Sequence, residues 1–186
     1  MNRSTNINVY EVLQESKVNG PGVRSVVWVQ GCCFNCPGCA NHAAREDKIN
    51  ILISPKELLS LLPLDNIEGI TISGGEPFLQ PEPLLELARL AKNAGLTIMI
   101  YTGFTIEELK NSGDAFVIGL LDIIDILIDG RYVKDIPPSN IWSGSGNQRV
   151  HFLSDAYSDM SDEIRSEARY REAHIDKNGD IIITGF

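Results

Sequence analysis

The sequence predicts an α/β fold: an open, partial parallel β/α barrel of about five to six strands with a C-terminal β-hairpin. Three observations predict it. Short runs rich in β-branched residues alternate with segments of helical period. A polar, glycine-bearing loop follows each of the first four of these runs. Near the end, Asn178-Gly179 separates two short apolar runs, a strong hairpin signal. The runs are too few for a closed eight-stranded barrel. No internal repeat or linker divides the chain, so residues 1–186 read as one domain.

Residues 23–29 (VRSVVWV) read as the first buried strand. Ser54-Pro55 then starts a helix over 56–62, with Ser54 at the N-cap and Glu57 in the first turn. Residues 67–72 are the second strand. A second helix, 82–93, carries an apolar face of Leu84, Leu85, Leu87, Ala88 and Ala91 and stops at Gly95. The third strand is 96–101. Thr105 caps a third helix over 106–111, with Glu108 at the capping-box position. A short helix near 116–121 precedes the fourth strand, 123–128, and 148–153 is a fifth. The stretch 157–170 reads as either helix or irregular chain. The hairpin pairs 172–175 with 180–184.

The net charge is −9. That argues against nonspecific binding to nucleic acid or to an anionic membrane, both of which need a basic footprint. No apolar run is long enough to span a bilayer, and the N-terminus lacks a secretory h-region. The expected location is the cytoplasm. All four cysteines lie between Cys32 and Cys39, too close together for a disulfide framework. Clustered cysteines in a cytosolic chain point to metal or redox chemistry.

The spacing Cys32-x3-Cys36-x2-Cys39 offers three soft thiolates, which suit an iron–sulfur cluster or zinc. On spacing alone a Cys3His zinc knuckle with His42 stands level with a cluster. Cys33 reads as packing, because adjacent side chains point in different directions. Ser73-Gly74-Gly75-Glu76-Pro77 follows the second strand: glycines let backbone approach a ligand, and a carboxylate beside them can hold an ammonium group. Thr102-Gly103 follows the third strand and Asp129-Gly130-Arg131 the fourth. In parallel α/β folds the reactive groups collect at the C-terminal strand ends, so these loops should converge on one mouth.

With these motifs in hand, the chain resembles the radical S-adenosylmethionine enzymes. Asn19-Gly20-Pro21-Gly22, Gln30-Gly31-Cys32, Cys36-Pro37-Gly38-Cys39-x-Asn41, Tyr101-Thr102-Gly103-Phe104 and Ser145-Gly146-Asn147-Gln148-Arg149 resemble, within them, the small activases of anaerobic ribonucleoside-triphosphate reductase. The resemblance implies a [4Fe-4S] cluster on Cys32, Cys36 and Cys39. It also implies S-adenosyl-L-methionine at the remaining iron, with Gly74, Gly75, Glu76 and Pro77 toward its methionine amino group. Many family members have an aromatic residue before the third cysteine. Gly38 stands there instead, which leaves adenine contacts to the backbone of Gly38, Cys39 and Ala40 and to apolar side chains not identified by the motif. Thr102 and Asn147 complete the expected cofactor contacts; a polar turn is an equal reading of Gly144, Asn147 and Gln148. Arg24 reads as either a carboxylate partner near the cysteine loop or a surface arginine.

The function this resemblance implies is reductive cleavage of S-adenosylmethionine and hydrogen abstraction from a glycine of a partner anaerobic ribonucleotide reductase. An external one-electron donor would supply the electron. The alternatives are a stand-alone radical enzyme acting on a peptide or small molecule, and a non-enzymatic zinc or iron–sulfur module.

Overall fold

Side-chain alternation along the central strands decides how the chain folds. The computed structural model describes residues 5–161, 164, 170–175, 179 and 181–185. Strand β1 spans Ile7–Ser16 and β2 spans Arg24–Val29. Every residue of β2 is buried. Val27 and Val29 enter one apolar cluster, and Val26 and Trp28 enter another on the opposite face. A strand covered on both sides is the signature of a parallel α/β core.

Next come β3 (Ile51–Ile53), α1 (Pro55–Ser60), β4 (Gly69–Gly74), α2 (Pro81–Asn93) and β5 (Thr97–Tyr101). They are followed by α3 (Ile106–Lys110), α4 (Ala115–Ile123), β6 (Ile126–Asp129) and β7 (Arg149–Phe152). The hairpin β8 (Arg171–Ile175) and β9 (Ile181–Gly185) closes the chain. The predicted caps are in place. Ser54 Oγ accepts from Glu57 N–H, and Thr105 with Glu108 forms a complete capping box. Each such cap is worth about 1 kcal/mol.

The main sheet has the order β3-β1-β2-β4-β5-β6-β7. Only β2, β4, β5 and β6 are mutually parallel. The expectation of five to six parallel strands is corrected here. β7 runs antiparallel to β6, because the connection 130–148 contains no helix to carry the chain back across the sheet. On the other side, β1 and β3 form antiparallel edges that sequence reading did not assign.

The helices cover one face of the sheet, where Leu58, Leu84, Leu87 and Leu120 meet Ile70, Ile72, Ile98 and Ile100. The other face carries Met99, Ile126 and Ile128, packed by Trp142, Tyr157 and Ile164. Ile182 of the hairpin packs on Leu13, Val26 and Trp28 of the same face. Glu172 anchors the hairpin by accepting from Ser16 Oγ and Lys17 N–H, and Thr184 bonds to Asn19. Asn178 of the predicted turn and Asp180, the first residue of the predicted second hairpin strand, lie outside the described residues, as does most of the ambiguous stretch after Ser161. No helix among the described residues is long and apolar enough to cross a membrane.

Arg24 corrects both of its sequence readings. It is fully buried, at the N-terminal end of the parallel strands. Its guanidinium donates to Thr71 Oγ1, Thr97 Oγ1 and the carbonyls of Ile70 and Thr97, all at 2.8–3.1 Å. It plugs the end of the sheet remote from the cysteines.

Candidate functional site

The four parallel strands end at Val29, Gly74, Tyr101 and Asp129, and their following loops meet around one cavity of about 350 Å³. Cys32, Cys36, Gly38, Cys39 and Ala40 line it from the first loop. Gly74, Gly75 and Glu76 line it from the second, Thr102 and Gly103 from the third, and Gly130 and Tyr132 from the fourth. Its volume falls in the range of small-molecule sites.

The cysteine loop is built around a stem of backbone bonds. Gly31 N–H donates to Ala44 O at 2.8 Å and Cys32 N–H to Arg45 O at 3.1 Å. Phe34 N–H points at Cys32 Sγ, 3.4 Å away, a donor suited to a ligating sulfur. Burial pushes the Cys32 thiol up to about 11, against that single N–H, so without a bound cation the group stays a neutral thiol. Cys33 is exposed and faces an outer cleft with His42 and Glu46. His42 does not line the inner cavity with Cys36 and Cys39, which weighs against the Cys3His arrangement. Among the described residues no three side chains already stand converged as metal ligands. The three thiols nonetheless share one cavity, next to a backbone N–H aimed at sulfur. This soft-donor set fits a cluster that takes three cysteines.

The GGEP segment sits where it was expected, but its glycines serve the chain itself. A Cβ on Gly75 would lie 2.0 Å from the Gly31 carbonyl oxygen, and one on Gly74 2.5 Å from Val29 N. Gly75 N–H donates to Val29 O, and Glu76 N–H donates to Gly31 O, both at 2.8 Å. The close approach is between this loop and the stem of the cysteine loop.

Glu76 is 1% exposed. Its Oε1 accepts from Thr102 Oγ1 at 2.8 Å and Phe78 N–H at 3.0 Å, and its Oε2 accepts from Gly103 N–H at 2.8 Å. Burial pushes the carboxyl up to about 7, with the bonds from Gly103, Phe78 and Thr102 acting against it. The side chain therefore ties the second loop to the third. Of its oxygens' acceptor positions, those three donors leave little for a ligand.

Pro77 is buried, opens the short 3₁₀ turn Pro77–Leu79 and does not line the cavity. Asn147 is exposed and also lies off the cavity, donating from Nδ2 to Arg131 O at 2.7 Å. Gln148 lines the cavity instead. Its Oε1 accepts from Gly144 N–H and its Nε2 donates to Gly130 O. Asp129 is buried: it accepts from Ile106 N–H and from Arg149, and His151 Nε2 stands 3.1 Å away. Burial opposes its charge, but the bonds from His151, Arg149 and Ile106 hold it well below the usual carboxylate range.

Sequence reasoning missed Phe34 and Arg45. Phe34 stacks edge-on against Phe104 at 4.8 Å, and the Arg131 guanidinium lies 4.5 Å above its ring. Gly103 has no side chain because Phe34 occupies that space: a Cβ there would be 2.5 Å from the ring. No local pattern flags these partners, since they come together only across three loops.

A family model described as a 4Fe-4S single cluster domain matches residues 18–151. The anaerobic ribonucleoside-triphosphate reductase-activating protein of Enterobacteria phage T4 is 36% identical over 141 residues, 72% of this chain and 86% of that one. The protein of the same name from Escherichia coli is 33% identical over 165 residues, 79% of this chain and 99% of that one. Among solved structures, QueE from Escherichia coli aligns over 54% of this chain and 53% of that chain. Its TM-score is 0.41 at 22% identity, too partial a match to bear on the fold.

Proposed function

Because the chain belongs to the anaerobic ribonucleoside-triphosphate reductase-activating proteins, radical S-adenosylmethionine enzymes built on a 4Fe-4S single cluster domain, we propose that it generates the glycyl radical of an anaerobic ribonucleotide reductase. The observation that carries this reading is the meeting of Cys32, Cys36, Cys39 and the Gly74–Glu76 loop on one cavity. On it, Cys32, Cys36 and Cys39 hold the cluster, and S-adenosylmethionine binds against Gly38, Ala40, Gly74, Gly75 and Thr102. When bound, cluster and cofactor together supply the one-electron cleavage and the hydrogen-abstracting radical.

The chain's own part is to hold and to exclude. Glu76 keeps Thr102 and Gly103 at the cavity edge through its 2.8 Å bonds. Phe34 packs the cysteine loop over the third loop through its contact with Phe104. Gln148 fixes the chain at Gly130 and Gly144, on the wall of the same cavity.

We read residues 1–186 as one domain whose sheet is an open, partial barrel, with the unwalled side admitting a loop of the partner. We place the protein in the cytoplasm, where its four free thiols stay reduced. An external donor supplies one electron, and the acidic chain binds neither nucleic acid nor membrane.

The test is anaerobic mixing of the reconstituted protein, S-adenosylmethionine, a reductant and the reductase. The expected result is a glycine-centred radical in the electron paramagnetic resonance spectrum, together with 5′-deoxyadenosine. Cofactor cleavage with no radical on any anaerobic reductase would sink the activase reading.

A further inference from the structure

Arg45 touches the cysteine loop at two of its cysteines. Its backbone carbonyl accepts from Cys32 N–H at 3.1 Å. Its guanidinium donates to the Cys36 carbonyl at 3.4 Å and to Asn35 Oδ1. The neighbours of Arg45 reinforce this grip: Ala44 O holds Gly31 N–H, and Glu46 O holds Gln30 Nε2. The side chain is half-buried and lines both the inner cavity and the outer cleft, alongside cysteines in each. Its Nε is buried and has no acceptor among the described residues. A guanidinium keeps its charge at any working pH. The loop it grips must carry three thiolates once a metal is bound.

We infer that Arg45 is a positioning residue that clasps the cysteine loop and sets a permanent positive charge against the cluster, raising its reduction potential. The inference rests on the cluster reading above. The step concerned is the gain of one electron from an external donor with no proton uptake, so the reduced state carries one more negative charge. A fixed cation within a partly desolvated site favours that state. The buried Nε–H has no acceptor among the described residues, and outer donors of this kind tune metal affinity and potential.

Full-length wild type, R45K and R45Q are reconstituted anaerobically with iron and sulfide. Iron release to a chelator and the midpoint potential, followed by electron paramagnetic resonance, are then measured. R45K keeps the charge but cannot bridge Asn35 and Cys36, whereas R45Q keeps neither. Both variants are expected to release iron about tenfold faster than wild type. Only R45Q is expected to shift in potential. At the wild-type midpoint its reduced-to-oxidised ratio should fall about tenfold, which is about 59 mV for one electron. Loss of the cluster in R45Q with unchanged circular dichroism supports the clasp. A wild-type release rate and midpoint in R45Q overturn the inference. A wild type that assembles no cluster overturns the cluster reading itself, a separate result.

Discussion

Thr102 Oγ1 donates a 2.8 Å hydrogen bond to Glu76 Oε1, joining the loop after β5 to the loop after β4 at the edge of the cavity. Both partners are buried, at 4% and 1% exposure, so water cannot replace either. This makes Glu76 a structural tie first and a ligand group second.

Removing one partner therefore strands the other. Thr102→Val is expected to cost about 1–2 kcal/mol, and Glu76→Ala, which strands three donors, about 3 kcal/mol. Urea denaturation of the apo-protein measures both. Glu76→Ala is expected to keep its iron but bind S-adenosylmethionine more weakly, because Thr102 and Gly103 lose their anchor. Unchanged affinity by calorimetry would count against that.

The raised Glu76 carboxyl makes stability pH-dependent. In the unfolded chain a glutamate titrates near ~4.3, and here it does so at about 7. Between those values the unfolded chain loses its proton first. Stability from the protonated form is thus full below the lower value and declines as pH rises through the upper one. Denaturation between pH 4 and 8 should show this decline in wild type and not in Glu76→Gln. Parallel curves would refute it.

Gly75→Ala places a methyl 2.0 Å from the Gly31 carbonyl, backbone against backbone, with no flexible side chain to yield. We expect a loss of about 2–3 kcal/mol or more and a cysteine loop that no longer takes up iron. Iron analysis with a thermal melt checks both, and a native melting point would show that the loops can part.

The cysteines should separate by chemistry. Burial pushes both thiols up, Cys32 to about 11, but Cys33 is exposed and Cys32 is half-buried. Iodoacetamide at neutral pH should label Cys33 of the apo-protein before Cys32, read by peptide mass spectrometry. Cys33→Ala should keep the cluster, and Cys32→Ala, Cys36→Ala and Cys39→Ala should each lose it. Loss in Cys33→Ala alone would move the ligand register.

The legible parts of the fold were local ones. Ser54, Thr105 and Glu108 cap helices through groups three residues away, and residues 26–29 are apolar because both faces are covered. The strand β1 escaped notice because it is half-polar, and its other neighbour, β3, comes from some way further along the chain. In the site, the cysteine spacing and the glycines were readable. The reason for the glycines was not, since it lies in contacts across loops.

By itself the sequence determined which residues carry soft sulfur and which loops follow which strands, because both are matters of spacing along one chain. Tertiary structure alone decided where the charged side chains turn. Glu76 turns inward to Thr102 and Gly103, Arg45 folds back on Cys36, and Arg24 lies buried at the far end of the sheet. A charge in a sequence has no preferred direction. It acquires one only when packing removes water and leaves particular donors or acceptors within reach.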